Sequence, residues 1–197
     1  MLINLSSDSV TFSCQGNLQL LERNTLEKTL PLLLETTLNQ SDLPLSPLVI
    51  NGPGWFTNLR IGCLSLTMRN MLHQYPIQRL TIDKITLYQW FYDHHQIPYL
   101  GVIFIGQTKN YRLVDLHAHT QSLITQSDIV HLTGVYFVDE MFRKDHEHPY
   151  GVRRTREDDK LIMTYRNMMF VENIHRLPTS IHVQIAPNYM IHPQTTS

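Results

Sequence analysis

The chain has 197 residues, of which 42% are hydrophobic and 17% are charged, so it can bury a substantial core in one compact domain or two small lobes. This balance excludes a disordered chain. The formal net charge of -1 excludes a global attraction to nucleic acid, so an RNA contact would need a local basic patch or a partner.

The cysteines and the hydropathy pattern bear on the cellular compartment. Cys14 and Cys63, the two cysteines, lie far apart in the sequence, which argues against a disulfide framework and fits a reducing cytosol. The first basic residue is Arg23, so the N-terminus lacks the positive start of a secretory signal. The longest apolar run, Tyr99 to Ile105, is much shorter than the roughly 20 residues of a membrane helix. We therefore expect a soluble, cytoplasmic protein that makes no membrane contact.

The first forty residues predict a strand meander followed by a helix. Short strands are expected over residues 2–21, because apolar and polar side chains alternate between Val10 and Cys14. A helix is predicted over Thr25–Gln40, where leucines recur at helical spacing behind a start that resembles a capping box. Pro31 lies inside this helix and predicts a kink.

A strand, a sharp turn and a second helix are predicted next. The strand is Leu48–Ile50, the turn contains Gly52-Pro53-Gly54, and the helix continues to Tyr75. One face of this helix carries Ile61, Leu64, Met68, Met71, Leu72 and Tyr75. The opposite face carries Leu59, Cys63 and Leu66. A helix with two apolar faces needs two partners, of which one is its own sheet.

The rest of the chain predicts mostly strands. Tyr99–Ile105 and Tyr111–Leu116 are expected to form a hairpin, because Gly and Asn occur where the turn would be. The other predicted elements are a strand over Arg79–Ile82, a short helix capped by Asp83, a strand over Val135–Val138, a charged loop over Arg143–Arg156, a helix using Leu161, Tyr165, Met168 and Met169, and a strand near His182–Ile185. This order indicates an α/β protein with a mixed sheet and packed helices.

One string in the sequence is more specific than any single element. Gly52-Pro53-Gly54 alone is a common turn signal, although the amides of the following helix N-terminus favour an anion. The longer string Gly-Pro-Gly-x-Phe-Thr-x-Leu-Arg-Ile-Gly, from Gly52 to Gly62, resembles the signature of the TsaB family, also called YeaZ. The resemblance is carried by Gly52, Pro53, Gly54, Phe56, Thr57, Arg60 and Gly62.

Other segments resemble that family in the same order along the chain. The opening Asn4-Leu5-Ser6-Ser7 is similar to the family's first loop, and the Leu30-Pro31 step matches a Leu-Pro step in its first helix. Near the other end, the segment from Ala186 to Met190 is similar to the Pro-x-Tyr-Leu string that closes typical members.

The resemblance implies an actin-like or sugar-kinase ATPase (ASKHA) fold, with two lobes of mixed β-sheet and packed helices. The N-terminal lobe would cover residues 1–97 and a smaller, divergent lobe residues 98–197. It also implies a non-catalytic subunit that binds and positions TsaD, together with TsaE, in tRNA threonylcarbamoyladenosine modification. Such a subunit would form a homodimer in isolation and contact tRNA only indirectly. No catalytic residue, cofactor or metal is expected.

In that family the first two helices hold the partner. The resemblance therefore implies partner contacts from Leu30, Leu33, Leu34, Ile61, Leu64, Met68, Met71 and Leu72. The two apolar faces of the second helix favour such a contact independently. The alternative is that the chain covers both faces itself.

Four departures from the family pattern bear on nucleotide binding. Trp55 replaces the usual Ser, Asn58 the usual Gly, Asn24 a common His, and Asn4 the usual Asp. A bulky Trp55 at the turn would block the close approach of a phosphate that a Ser permits. These departures argue against nucleotide chemistry at the turn.

Two further hypotheses come from the second half of the chain. Asp93-His94-His95, His117-x-His119 and Asp145-His146-Glu147-His148 allow a small metal- or nucleotide-dependent enzyme. In a strand, His117 and His119 would share a face, as zinc ligands can, but no Cys pair or helical HExxH motif supports a metal site. The basic residues Arg143, Lys144, Arg153, Arg154 and Arg156 allow an RNA-binding module, although interspersed acidic residues weaken their field.

Overall fold

The computed structural model describes residues 1–6, 9–14, 17–40, 47–54, 56–72, 79–97, 99–105, 111–140, 152–154, 160–165, 168–182 and 185–189. Its strands are β1 (Leu2–Asn4), β2 (Val10–Cys14), β3 (Asn17–Leu21), β4 (Leu48–Ile50), β5 (Arg79–Ile82), β6 (Gly101–Ile105), β7 (Tyr111–Asp115), β8 (Thr120–Ile124), β9 (Tyr136–Glu140), β10 (Val152–Arg154), β11 (Lys160–Tyr165), β12 (Met168–Asn173) and β13 (Ser180–His182). The helices are α1 (Leu26–Gln40), α2 (Phe56–Leu72), α3 (Lys84–His94) and α4 (Gln126–Val130), with a 3₁₀ turn at Ile174–Arg176.

The strands form three sheets, which makes the chain a mixed α/β protein. The first sheet has the order β13-β5-β4-β1-β2-β3, the second has the order β8-β7-β6-β9, and the third has the order β10-β11-β12. In the first sheet β1, β4 and β5 run parallel, whereas β2, β3 and β13 pair antiparallel with their neighbours. The meander, the strand–turn–helix and the hairpin expected from the sequence are confirmed.

Helices α1 and α2 pack together on the first sheet because each has an apolar stripe that faces it. Leu26, Leu30 and Leu34 follow one another at four-residue spacing along α1 and are fully buried. On α2 the corresponding face is Leu59, Cys63 and Leu66. Each leucine buried in this way contributes about 1.5–3 kcal/mol. The core between helices and sheet therefore fixes which face of α2 points outward.

Helix α3 begins at Lys84, directly after Asp83, the residue predicted to cap it. Asp83 has extended backbone geometry, and its Oδ1 accepts a hydrogen bond of 2.9 Å from the Thr86 amide. Tyr88 and Phe91 are buried in a second core that contains residues from the first and second sheets, among them Leu48 and Phe104. Helix α3 thus connects those two sheets.

The prediction of a helix that uses Leu161, Tyr165, Met168 and Met169 is wrong. These residues belong to the antiparallel strands β11 and β12, in which Lys160 pairs with Asn173 and Tyr165 with Met168. Two residues separate the strands, and β-branched residues such as Val171 favour an extended chain. The 3–4 residue spacing of four apolar side chains is therefore coincidental in this segment.

The last strand differs from its predicted position, and its pairing bears on the expected boundary between the two lobes. The late strand occupies Ser180–His182 and so begins two residues earlier than predicted. It pairs with β5, with Ile181 opposite Leu80, and so brings the C-terminal part of the chain into the first sheet. The division at residue 97 stays a prediction, and the first sheet contains strands from both sides of it.

No helix in the described ranges combines the length and the apolar character that a membrane crossing requires.

Candidate functional site

The parallel part of the first sheet indicates where a site can form. Strands β1, β4 and β5 end at Asn4, Ile50 and Ile82, and parallel pairing places these carboxyl ends on one edge. Ligands of open α/β sheets bind at such an edge. The Gly52-Pro53-Gly54 turn follows β4 at this edge.

The turn is buried against two other segments of the chain. Gly52 has a φ of 129°, which favours glycine, and a β-carbon there would collide with the backbone oxygen of Asn188. A β-carbon at Gly54 would lie 2.6 Å from the Cα of Ser6. Both glycines are therefore required for close packing within the chain. A phosphate bound at this turn would have to displace these contacts.

Backbone hydrogen bonds fix the turn in place. The amide of Asn51 donates to Ile82 O over 3.2 Å, and the amide of Lys84 donates to Gly52 O over 2.5 Å. On the other side, the amide of Asn188 donates to Asn51 O over 3.1 Å. The turn is thus bonded to β5, to the start of α3 and to the segment near the C-terminus.

The polar side chains at this edge are engaged with the chain itself. Asn4 Oδ1 accepts hydrogen bonds from the Ser6 amide at 3.0 Å and from the Ser6 hydroxyl at 2.6 Å. The buried Lys84 ammonium group donates to Ser6 O over 3.2 Å and lies 6.0 Å from the ring centre of Phe104. The position at which the family usually has Asp therefore serves the local fold of the first loop.

The remaining residues of the family string have structural positions on α2. Gly62 lies against the side chain of Leu5, with no room for a β-carbon, and Asn58 is fully buried. Thr57 and Arg60 are exposed. The ring of Phe56 stacks on that of Tyr189 at 5.0 Å, and burial, reinforced by Cys63 and opposed by Arg60, raises the pKa of the Tyr189 hydroxyl. The string therefore joins α2 to the first loop and to the segment near the C-terminus.

The outward face of α2, formed by Leu64, Met68, Met71 and Leu72, is an exposed apolar surface. The exposed fractions of these four side chains are 54%, 49%, 70% and 79%. Ile61, predicted with them, is half-buried and packs against the core. The two apolar faces of α2 are confirmed within the described residues, because Leu59, Cys63 and Leu66 are buried on the opposite side. Tyr75, the last residue of the predicted stripe, lies outside the described residues.

The α1 residues predicted to contact a partner are covered by the core of the chain itself. Leu30 and Leu34 have no exposed surface, and Leu33 is half-buried against the same core, so a partner contact through these residues stays a prediction. Leu32 is 60% exposed and was missed by the sequence analysis. It falls outside the helical stripe of leucines, and this offset is the signal that identifies an outward position.

The described histidines do not assemble a metal centre. His117 and His119 lie in the turn that follows β7, where Asp115 Oδ1 accepts a hydrogen bond of 2.8 Å from the Ala118 amide, so the shared strand face that zinc ligands could use does not form. No group of three or more His, Cys, Asp or Glu side chains within the described ranges can hold a metal ion. The Asp145–His148 group lies outside the described residues, as do Arg143, Lys144 and Arg156. Arg153 and Arg154 belong to β10.

Comparisons with known proteins give structural matches alone. No protein-family model matches the chain, and no curated protein sequence matches it either. The structure is similar to YeaZ from Pseudomonas aeruginosa, with a TM-score of 0.36, 15% identity, and coverage of 64% of this chain and 63% of that one.

A second similar structure is described as an uncharacterized protein with similarity to the peptidase YeaZ, from the same organism. Its TM-score is 0.35, its identity is 17%, and the match covers 64% of this chain and 62% of that one. The match thus spans a little under two thirds of the length of each structure. Both matched structures bear the name YeaZ.

Proposed function

We propose that this chain is a TsaB-like, non-catalytic subunit of the actin-like or sugar-kinase ATPase (ASKHA) class, which binds and positions TsaD in tRNA threonylcarbamoyladenosine modification. One observation carries the proposal: α2, the helix that begins within the Gly52–Gly62 string, has an exposed apolar face. In this proposal residues 1–97 and 98–197 form the two lobes, TsaE joins through TsaD, and tRNA is contacted only indirectly.

The chemistry of the outward face of α2 suits a helix of another protein chain. Leu64, Met68, Met71 and Leu72 recur at spacings of four, three and one, so they form one continuous stripe. Covering each side chain would contribute roughly 1.5–3 kcal/mol before the entropic costs of association. Two methionines make the stripe adaptable, because the thioether chain has many rotamers. A stripe of this kind favours helix-on-helix association.

The Gly52–Gly54 turn supports a role without nucleotide chemistry. Its glycines are in contact with Ser6 and Asn188, and the Lys84 ammonium group is bonded to Ser6 O. The groups that would meet a phosphate are therefore used for packing inside the chain. This arrangement favours a scaffold over a phosphoryl-transfer enzyme.

Homodimer formation would use the same surface. A stripe that is exposed in the isolated chain can be covered by the stripe of a second copy, which makes the homodimer and the TsaD complex compete. We therefore expect TsaD to dissociate the homodimer, and the apparent affinity for TsaD to fall as the concentration of this chain rises.

The test is co-purification with TsaD of the same organism, followed by measurement of affinity. Leu64→Asp and Met68→Asp place a carboxylate on the stripe and should weaken the complex by at least about 100-fold, or roughly 2.7 kcal/mol. Leu123→Asp is the control, because Leu123 is a leucine on β8 that is even more exposed than Leu64. It should leave the affinity unchanged.

Different outcomes test TsaD binding, the location of the contact and the role in tRNA modification separately. Absence of a complex at micromolar concentration would refute TsaD binding. A complex that survives both stripe substitutions would relocate the contact to another surface. Complementation of a strain that lacks TsaB tests the role in tRNA modification, and loss of complementation by Met68→Asp alone, with Leu123→Asp active, would connect the stripe to that role.

A further inference from the structure

A cavity of about 290 Å³ lies between α3 and the β7–β8 hairpin, and its lining includes no residue of the Gly52–Gly54 turn or of α2. Its polar lining includes Thr86, Gln89, Trp90 and Asp93 from α3 and His119 and Gln121 from the hairpin. The volume is close to the lower limit of roughly 300 Å³ for ligand sites, so the cavity suits a small molecule.

The Asp93 carboxylate is held in a defined orientation at this cavity. Gln89 Nε2 donates one hydrogen bond to Asp93 Oδ1 and another to Leu116 O, both at 2.9 Å. The same Oδ1 lies 3.9 Å from His119 Nε2. Asp93 Oδ2 has no hydrogen-bond partner among the described residues. One oxygen is therefore used for positioning and the other is available to a ligand.

His119 occupies its position with an unusual backbone conformation. Its φ is 53°, in the left-handed region that residues with a β-carbon rarely adopt, although His does so more often than most. The hydrogen bond from the Ala118 amide to Asp115 Oδ1 closes the turn that holds it. Strained residues of this kind are found preferentially at binding sites. Here the strain places an imidazole opposite the Asp93 carboxylate.

The charge of the lining selects the class of ligand. Asp93 is the one acidic side chain that lines the cavity, and the described lining contains no Lys or Arg. Phosphates and carboxylates would therefore be repelled, whereas a cation would be attracted. The Trp90 indole also lines the cavity and is fixed by stacking on His94, with ring centres 3.7 Å apart and planes 20° apart. An indole next to a carboxylate is a favourable environment for an ammonium group.

We propose that this cavity binds a small organic amine, whose ammonium group is paired with Asp93 and whose carbon atoms contact Trp90. Gln89 and His119 are positioning residues, because both lie against Asp93 Oδ1 and so orient the carboxylate. The Thr86 hydroxyl donates to Asp83 Oδ2, so its oxygen is left to accept a hydrogen bond from a polar substituent of the amine. Gln121 Oε1 accepts from the Arg112 guanidinium, so the amide NH₂ of Gln121 is the group that donates to the ligand. None of its lining residues belongs to α2, so the site lies outside the surface proposed for TsaD.

The test is ¹H–¹⁵N NMR titration of the full chain with ethanolamine and putrescine, with sodium acetate and inorganic phosphate as anionic probes. Saturable shifts are expected at residues 86–93 and 119–121 with the amines, at dissociation constants of about 0.1–10 mM. Asp93→Asn should weaken amine binding at least about tenfold. Glu35→Gln removes an exposed carboxylate from α1 and should have no effect.

A second variant and a further probe complete the test of amine binding. Thr120→Arg places a guanidinium at the exposed edge of the cavity, where it would neutralise Asp93, and it should abolish amine binding. Unsaturable shifts, equal amine binding by Asp93→Asn, or the same shifts with phosphate would overturn the proposal. Nα-acetyl-lysinamide carries a lysine side chain, and tighter binding of this probe than of either free amine would assign the site to a lysine of a partner protein and likewise overturn it.

Discussion

Gly54 packs directly on the backbone of Ser6, so closely that a β-carbon at Gly54 would lie 2.6 Å from Ser6 Cα. The contact joins the turn after β4 to the loop after β1, at the edge where the parallel strands end. Direct contact between two backbone segments therefore fills the space beside this turn. The first prediction tests whether this contact is required for stability.

Gly54→Ala should lower the free energy of unfolding by about 2–4 kcal/mol, because the new methyl group must push two backbone segments apart. Urea unfolding near neutral pH measures the change. Thr57→Ala is the control at a nearby exposed position and should change stability by less than about 0.5 kcal/mol. Equal stability of the two variants would show that the loops are separated in solution.

The orientation of α2 is tested by a matched pair of leucines. Leu59 is fully buried, whereas Leu64, five residues later on the same helix, is 54% exposed. Leu59→Ala should cost about 2–5 kcal/mol through lost burial and a residual cavity. Leu64→Ala should change the unfolding free energy by less than about 0.5 kcal/mol in a monomeric sample. A larger loss of stability in Leu64→Ala than in Leu59→Ala would mean that α2 presents its other face to the sheet.

Elements with strong local signals could be predicted from the sequence. The leucine stripe of α1, the two faces of α2 and the Asp83 cap of α3 each depend on contacts within a few residues, so pattern and structure agree. The same pattern does not say which face of a helix meets the sheet. Leu30 was expected at a partner surface and is buried, because α1 uses that stripe for its own core.

The errors occur where distant contacts decide the structure. Leu161 and Met169 have a spacing that fits a helix, but strand pairing between Lys160 and Asn173 overrides it. The cavity beside Asp93 was also beyond sequence reasoning, since it combines α3 with a turn some 25 residues later. The αL conformation of His119 has no signal in the sequence except that His tolerates it better than most residues.

Removing the proline from α1 should stabilise the protein. Pro31 is exposed inside the helix and cannot donate the backbone hydrogen bond to the carbonyl of Glu27. Pro31→Ala restores this donor, and we expect a gain of about 1–2 kcal/mol after the greater freedom of the unfolded chain is subtracted. Thermal and urea unfolding measure it. Glu35→Ala, on the same helix, should stay within about 0.5 kcal/mol, and a loss of stability in Pro31→Ala would indicate a helix shaped around the proline.

The thiol of Cys63 should be unreactive in the native protein. Burial raises its pKa from 9.0 to about 12, and the opposing effect of Arg79 is smaller. In a Cys14→Ser variant, in which Cys63 is the single thiol, a thiol reagent at pH 8 should react slowly because little thiolate is present. Urea at unfolding concentration should restore rapid labelling. Rapid labelling without urea would show that the core between α1 and α2 opens readily.

The same shift gives stability a pH dependence with a defined sign. Because the folded-state pKa of Cys63 is the higher one, the unfolded chain releases its proton first as the pH rises. The contribution is fully present below about pH 9 and is lost between about pH 9 and about pH 12, at up to roughly 1.4 kcal/mol per pH unit. Other groups titrate in this range, so the measurement is the stability difference between the native sequence and Cys63→Ala. That difference should shrink as the pH rises, and a constant difference from pH 8 to pH 11 would contradict a buried, protonated thiol.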